Sequence, residues 1–286
     1  MSFRQRSKDQ NIVQGVGIMT RENKIFTAIR AGRAPIGFFN YIKDPTIQYI
    51  AGAVGMDFTI IDMEHAIMDR ETVEVMVMAA ERNDVTPLVR MPDVIPWQMR
   101  SLVEMGVKGV LIPHVHDKET AQKAQLALRY PPNGTASTCR SNHATSFRPR
   151  NWKEYMKEAE EVSFIPMIED PAAIDHLEEI ISVLKPGRDI VMFGKADYGQ
   201  ALGGLREDGT FPEGVQEGYE KTIEICRKHG IWFMACPSAP ASGQKPEHVQ
   251  KVIDEGCSAV CLNTDQLVIA DALEQIVSQC KDMKLK

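Results

Sequence analysis

The run Ile60-Ile61-Asp62-Met63-Glu64-His65 puts two acids and a histidine within four residues, directly behind an apolar stretch at 58–61. A strand buried on both faces has no use for three titratable groups, but its end, facing a crevice, does. The spacing predicts that Asp62 orients the His65 imidazole and holds its basicity near neutral pH, an acid/base pair. Other charges stand at the ends of further apolar runs. T-P-L-V-R-M-P gives Arg90, F-I-P-M-I-E-D gives Glu169 and Asp170, and I-V-M-F-G-K-A-D-Y gives Lys195 and Asp197. Carboxylates Glu169 and Asp197, ending neighbouring strands, suit a hard divalent cation that keeps waters free for substrate oxygens. Arg90 is a permanent cation suited to an enolate or carboxylate oxygen. Together these are the parts needed to make and protonate an enolate.

The elements that must position them follow one another in a regular order. Eight strand candidates occur at 35–39, 57–62, 86–91, 109–113, 162–169, 189–194, 231–236 and 257–262. Most are short and continuously apolar, as strands covered by helices on both faces should be. Helical apolar spacing marks 71–82, 97–105, 117–129, 171–184, 214–229 and 245–255, and Gly106, Gly230 and Gly256 are expected to end helices left-handed. Alternation of this kind predicts a (β/α)8 barrel, a TIM barrel, as one domain over 21–286, with its chemistry at the carboxyl ends of the strands. Residues 1–20 are expected to be a loose arm, and 265–285 a helix beyond the eighth strand. A doubly wound open sheet is the alternative, but no G-x-G-x-x-G follows any strand to support nucleotide binding.

The chain has 286 residues, 43% apolar and 25% charged, ordinary for a soluble enzyme. A net charge of −6 argues against a nucleic-acid-binding face. No run is long enough for a membrane span and the polar start has no apolar signal core. Six cysteines without C-x-x-C spacing read as reduced thiols and a cytoplasmic location.

Ordered landmarks extend the pattern: A-G-R-A-P-I-G, I-D-M-E-H-A, V-R-M-P, V-L-I-P-H-V, R-Y-P-P-N-G, M-I-E-D and F-G-K-A-D-Y-G-Q-A-L-G. With them the chain resembles the HpcH/HpaI family of class II pyruvate aldolases from about Phe26 to Gln275, nearly the whole barrel. That resemblance implies a barrel of the phosphoenolpyruvate/pyruvate-binding type whose last helix is exchanged between paired subunits, usually in a hexamer. It implies magnesium, manganese or cobalt on Glu169 and Asp197, Arg90 on the pyruvyl oxygen, and His65 supported by Asp62 as acid/base. Glu64 would act through water on the ion, and Glu104 falls where the family often has an acid contributed across a subunit contact.

Departures fall on residues that shape the substrate pocket. Met167 replaces a glutamine, Phe39 a frequent tryptophan, and Gly194-Lys195-Ala196-Asp197-Tyr198 a G-P-x-D-L motif. The usual arginine after Tyr130-Pro131-Pro132 is also missing. Lys195 sits where Schiff-base aldolases of other families place their lysine, and pairing with Glu169, Asp170 or Asp197 is the simpler expectation. Of His114 and His116, one at most should point inward. The long loop at 137–150, with Arg140, His143 and Arg148, is expected on the catalytic face, as a lid or a solvated basic loop. Three functions fit: an aldolase on a 2-oxo acid with an aldehyde, a synthase or decarboxylase on oxaloacetate like the family's citrate synthase and macrophomate synthase, or a weakly catalytic carboxylate-binding scaffold.

Overall fold

Each of the eight apolar runs forms a strand, and each is hydrogen-bonded in parallel to the next until β8 closes on β1. The structure, a computed structural model, describes residues 22–204, 206, 210–237 and 245–283. The expected arm at 1–20 lies outside these. Strands β1 (Ile36–Asn40), β2 (Phe58–Asp62), β3 (Thr86–Arg90), β4 (Gly109–Ile112), β5 (Ser163–Ile168), β6 (Ile190–Phe193), β7 (Trp232–Ala235) and β8 (Ala259–Thr264) lie within two residues of their expected bounds. The result is the expected (β/α)8 barrel.

Alternation along the strands sorts side chains into two cores. Ile60, Leu88, Leu111, Ile165, Met192 and Met234 fill the barrel interior. Ile61, Val89, Val110, Phe164, Val191 and Phe233 face the helices outside. Helix α1 (Lys24–Arg30) plugs the amino end with Ile25 and Phe26, whose ring lies 5.2 Å from that of Trp232.

The covering helices are α2 (Thr46–Val54), α3 (Arg70–Arg82), α4 (Pro96–Met105), α5 (Lys118–Ala127), α6 (Trp152–Glu160), α7 (Pro171–Asp175), α8 (Leu177–Ile181), α9 (Lys195–Ala201), α10 (Glu213–His229) and α11 (Pro246–Glu255). Gly106, Gly230 and Gly256 end α4, α10 and α11 with φ of 99°, 67° and 116°, as their positions predict. The stretch expected as one helix at 171–184 is broken at His176. Helix α2 is not among the expected helices; its apolar Tyr49, Ile50 and Val54 are exposed. The last helix, α12 (Asp265–Cys280), is shorter than expected; beyond it Lys281 and Asp282 offer no apolar anchor. No described helix is long and apolar enough to cross a membrane.

One expectation is corrected here. The segment 137–150 does not lie on the catalytic face. It follows α5, whose end returns the chain to the amino side of the barrel. There His143 Nε2 lies 2.7 Å from Glu81 Oε2 and Ala144 N–H donates to Glu104 O at 3.1 Å, at the last turns of α3 and α4. A helix-to-strand connection must come back to the strand's start, so it cannot cap the mouth above it.

Candidate active site

At the carboxyl end of the barrel, strand register sets the first pair. β2 and β3 align Asp62 with Arg90, so side chains at equal heights on neighbouring strands meet. Asp62 Oδ2 accepts from Arg90 Nε at 2.6 Å and from its Nη2, and both groups are almost fully buried. Asp62 Oδ1 accepts from the backbone N–H groups of Glu64 and His65, each at 2.8 Å. The expected contact of Asp62 with the imidazole is therefore not made. Asp62 holds the backbone of the loop behind β2 instead, and the acid nearest the ring is Glu64, whose Oε2 lies 3.7 Å from His65 Nε2. The three-residue spacing suited a capping turn better than a side-chain pair.

Arg90 has further neighbours. Its Nη2 donates to Tyr41 Oη at 3.0 Å, and its guanidinium lies over the Phe39 ring, 4.7 Å from the centroid. Its Nη1 is 3.1 Å from Glu64 Oε2, an ion-pair distance without hydrogen-bond alignment. Burial alone would lower the Arg90 pKa, but Asp62, Tyr41 and Glu64 more than offset it, and the net shift is upward. The group stays a cation. Tyr41 is held from behind: its N–H and that of Ile42 donate to Asp265 at the start of α12, as does Asn40 Nδ2 at 2.6 Å.

Glu169, directly after β5, is buried, and its Oε1 accepts from the His114 N–H at 2.7 Å. His114 takes a left-handed backbone (φ 52°) there, which brings its Nδ1 to 3.3 Å from the same oxygen and its Nε2 to 3.8 Å from Glu64 Oε1. His116 turns toward Asp170 instead, at 3.9 Å. Burial raises the Glu169 pKa first, and the charges of Asp197 and Glu64 add to the rise. Gly194 leaves room for this carboxylate; a Cβ there would fall 2.7 Å from Glu169 Oε2. Asp197 follows in the first turn of α9, exposed to the mouth.

A cavity of ≈ 960 Å³ opens over these groups, lined among others by Phe39, Tyr41, His65, Arg90, Met167, Ala196, Asp197 and Cys236. Lys195 departs from expectation. Its ammonium rests 4.0 Å from the centroid of the buried Tyr219 ring, in the outer core beneath α10. Burial lowers its pKa, but the short helix α9 has turned the amine away from the carboxylates. Glu104 lies in the last turn of α4, at the other end of its own barrel from the mouth, and burial raises its pKa. His114 and Tyr41 are the residues that sequence reasoning undervalued. The left-handed turn that aims His114 leaves no mark in its residue type. Tyr41, one residue past β1, was within reach of the strand-end rule that found Arg90.

The charges of Glu64 and Asp197 act on Glu169 here, and the ion-pair partner of Glu169 among the described residues is the neighbouring His114. That surplus of negative charge fits a cation. No set of three His, Cys, Asp or Glu ligands comes together among the described residues. A divalent ion would thus take Glu169 and Asp197 and complete its shell with water and substrate oxygens, the habit of hard cations.

Comparison with known proteins identifies relatives of the whole barrel. Residues 35–259 match the sequence profile described as HpcH/HpaI aldolase/citrate lyase. A 5-keto-4-deoxy-D-glucarate aldolase from Shigella boydii is 26% identical over 260 residues, spanning 91% of this chain and 96% of that protein. Among solved structures, an HpcH/HpaI aldolase from Desulfitobacterium hafniense superposes with a TM-score of 0.80 at 26% identity, covering 90% of this chain and 96% of the other. The citrate synthase SbnG superposes with a TM-score of 0.77 at 27% identity, covering 91% and 98%.

Proposed function

The chain belongs to the HpcH/HpaI aldolase/citrate lyase family, and from that premise we propose that it makes or cleaves a 4-hydroxy-2-oxo acid through a pyruvate enolate, using a divalent cation. Membership makes it an enzyme of the aldolase/lyase type. The observation that carries the finer reading is that Arg90, a permanent cation, lines one cavity with His65 and Asp197, while the buried Glu169 lies close enough to Asp197 to feel its charge. Glu169 and Asp197 would hold the ion, which when bound supplies Lewis-acid polarisation of the 2-oxo group. Magnesium, manganese and cobalt all suit two carboxylates and water.

The chain's own residues divide the rest of the work. Arg90, fixed by Asp62 and Tyr41, donates to the 2-oxo oxygen and to the negative charge that grows there as the carbon–carbon bond breaks. His65, with Glu64 beside it, takes the proton of the C4 hydroxyl and returns one to the product carbon. Met167, Phe39 and Ala196 shape the wall that meets the substrate. Pyruvate release from 4-hydroxy-2-oxo acids should vanish after exhaustive chelation and return with added divalent metal. Full activity without metal would overturn this reading, and a borohydride-trapped pyruvate adduct on Lys195 would replace it.

A synthase acting on oxaloacetate is the second reading, favoured by the likeness to a citrate synthase and by a thioether, Met167, in the pocket wall. Product analysis with oxaloacetate plus acetyl-CoA, against pyruvate plus simple aldehydes, separates the two. We place the enzyme in the cytoplasm as a dimer-based oligomer, in the family's manner a hexamer. Helix α12 leaves Leu267, Ile269, Leu273 and Ile276 between 44% and 57% exposed, an apolar face that a partner would cover. A compact monomer by sedimentation at micromolar concentration would count against that assembly.

A further inference from the structure

Two thiols stand side by side at the catalytic cavity, Cys236 on its wall and Cys261 buried behind it. The register of β7 on β8 pairs Met234 with Ala259 and Ala235 with Val260, so the next pair up the barrel is Cys236 with Cys261. Alternation sends both inward. Met234, Ala259 and Cys261 belong to the barrel interior and Cys236 packs against it, whereas Ala235 and Val260 face the helices. Cys236 is half-buried and lines the mouth cavity; Cys261 beside it is fully buried. Neither is used by the lyase mechanism.

We propose that Cys236 and Cys261 form a dithiol site that captures a soft, thiophilic metal or metalloid ion from the catalytic cavity and thereby blocks turnover. Two sulfurs on facing positions of neighbouring strands bring a chelate bite without backbone movement, which isolated thiols cannot offer. Softness separates this site from the carboxylate pair across the mouth: thiolates favour soft ions, carboxylates hard ones. The environment helps. The Cys261 thiol hydrogen-bonds that of Cys236 and, with Arg90 nearby, lowers the Cys236 pKa below the ordinary thiol range, while burial pushes Cys261 up. The exposed Cys139 and Cys280 belong to other regions of the surface, and Cys226 and Cys257 are buried.

Phenylarsine oxide is the probe. Each thiol gives up its proton, two arsenic–sulfur bonds form and the arsenic-bound oxygen leaves as water, with arsenic trivalent throughout. The full chain carrying Cys139→Ser and Cys280→Ser should take up one phenylarsenic unit, mapped by mass spectrometry to the peptides holding Cys236 and Cys261. The adduct should survive excess monothiol and be removed by a dithiol. Cys236→Ala in the same background should weaken retention at least tenfold, and the unsubstituted adduct map reads the site even where that variant folds poorly. Absence of an adduct, release by monothiol or undiminished retention in Cys236→Ala would overturn the site. Uptake that leaves catalysis untouched would overturn the blockade. Uptake does not depend on the aldolase reading, so failure of that reading leaves the binding result standing.

Discussion

Both ends of the barrel bury an arginine against an aspartate, yet they leave different amounts of charge unanswered. At the amino end, Asp189 accepts from Arg188 Nε and Nη2, from Gln125 Nε2 and from the backbone of Lys185 and Phe164. Arg188 in turn donates to Gln125 Oε1 at 3.0 Å, and Arg129 alongside donates to Val162 O at 2.7 Å. Burial first, and then the neighbouring Arg188, lower the Arg129 pKa to about 10, against the opposing charges of Asp189, Glu160 and Glu161. At the mouth, Arg90 faces Asp62 and Glu64 together, while burial first, and then the charges of Asp197 and Glu64, make Glu169 costlier to ionise. The same residue types serve packing where aspartate and arginine answer each other, and on our proposal serve chemistry where the mouth carboxylates leave negative charge open.

The largest expected effect tests that open charge. Glu169→Ala should bring turnover below detection across a titration of added metal, because one carboxylate holds such an ion poorly. Saturable activity in this variant at modest metal concentration would mean that the mouth's surplus charge serves something else.

Exchanging one atom at each end sharpens the comparison. Asp189→Asn leaves a buried arginine poorly matched and should cost about 3–5 kcal/mol of stability in urea unfolding, with kcat of the folded fraction unchanged. Asp62→Asn should depress kcat, since it loosens both Arg90 and the backbone under His65. If Asp189→Asn lost activity in proportion to Asp62→Asn, the division between structural and catalytic ends would fail.

Arg90→Lys should lower turnover roughly 10²–10³-fold, the usual cost of an oxyanion donor, because a point-like ammonium cannot serve Asp62, Tyr41 and substrate together. It should depress aldol cleavage and oxaloacetate decarboxylation alike. His65→Ala should slow cleavage about 10²–10⁴-fold and spare much of the decarboxylation, which needs no base to break its bond. Equal loss of both reactions in the His65 variant would remove it as the acid/base.

Strands and mouth acids were legible in the sequence because both obey local rules: continuous apolar runs, then charge where the run stops. What was not legible depended on register and turn geometry. Asp62 looked bound to His65, three residues on, but the closed barrel sets it opposite Arg90, 28 residues away. Lys195 seemed to sit among carboxylates until the start of α9 rotated it onto Tyr219. The segment at 137–150 is expected at the mouth for its length, when its position after a helix decides the side of the barrel it occupies.

The smallest effect belongs to the amino end, at Asp57 just before β2. Its carboxylate accepts from Arg33 Nη1 and Nη2, both at 2.7 Å, and from the Ile36 N–H at 2.9 Å. Burial would raise its pKa, but the Arg33 and Ile36 bonds outweigh this and the net shift is downward. A depressed carboxyl stabilises the fold fully above its unfolded pKa, and that stabilisation is lost as pH falls through the lower, folded value. Because Arg33 is 57% exposed, water screens the pair, and Asp57→Asn should cost only about 1 kcal/mol near neutrality. The gap between the variant and the parent should therefore be widest at about pH 7 and close in acid, below the ordinary aspartate range, without any change in kcat. Urea unfolding of both proteins across that range gives the answer. A gap that persists in acid would mean that shape at the start of β2, not charge, is what Asp57 provides.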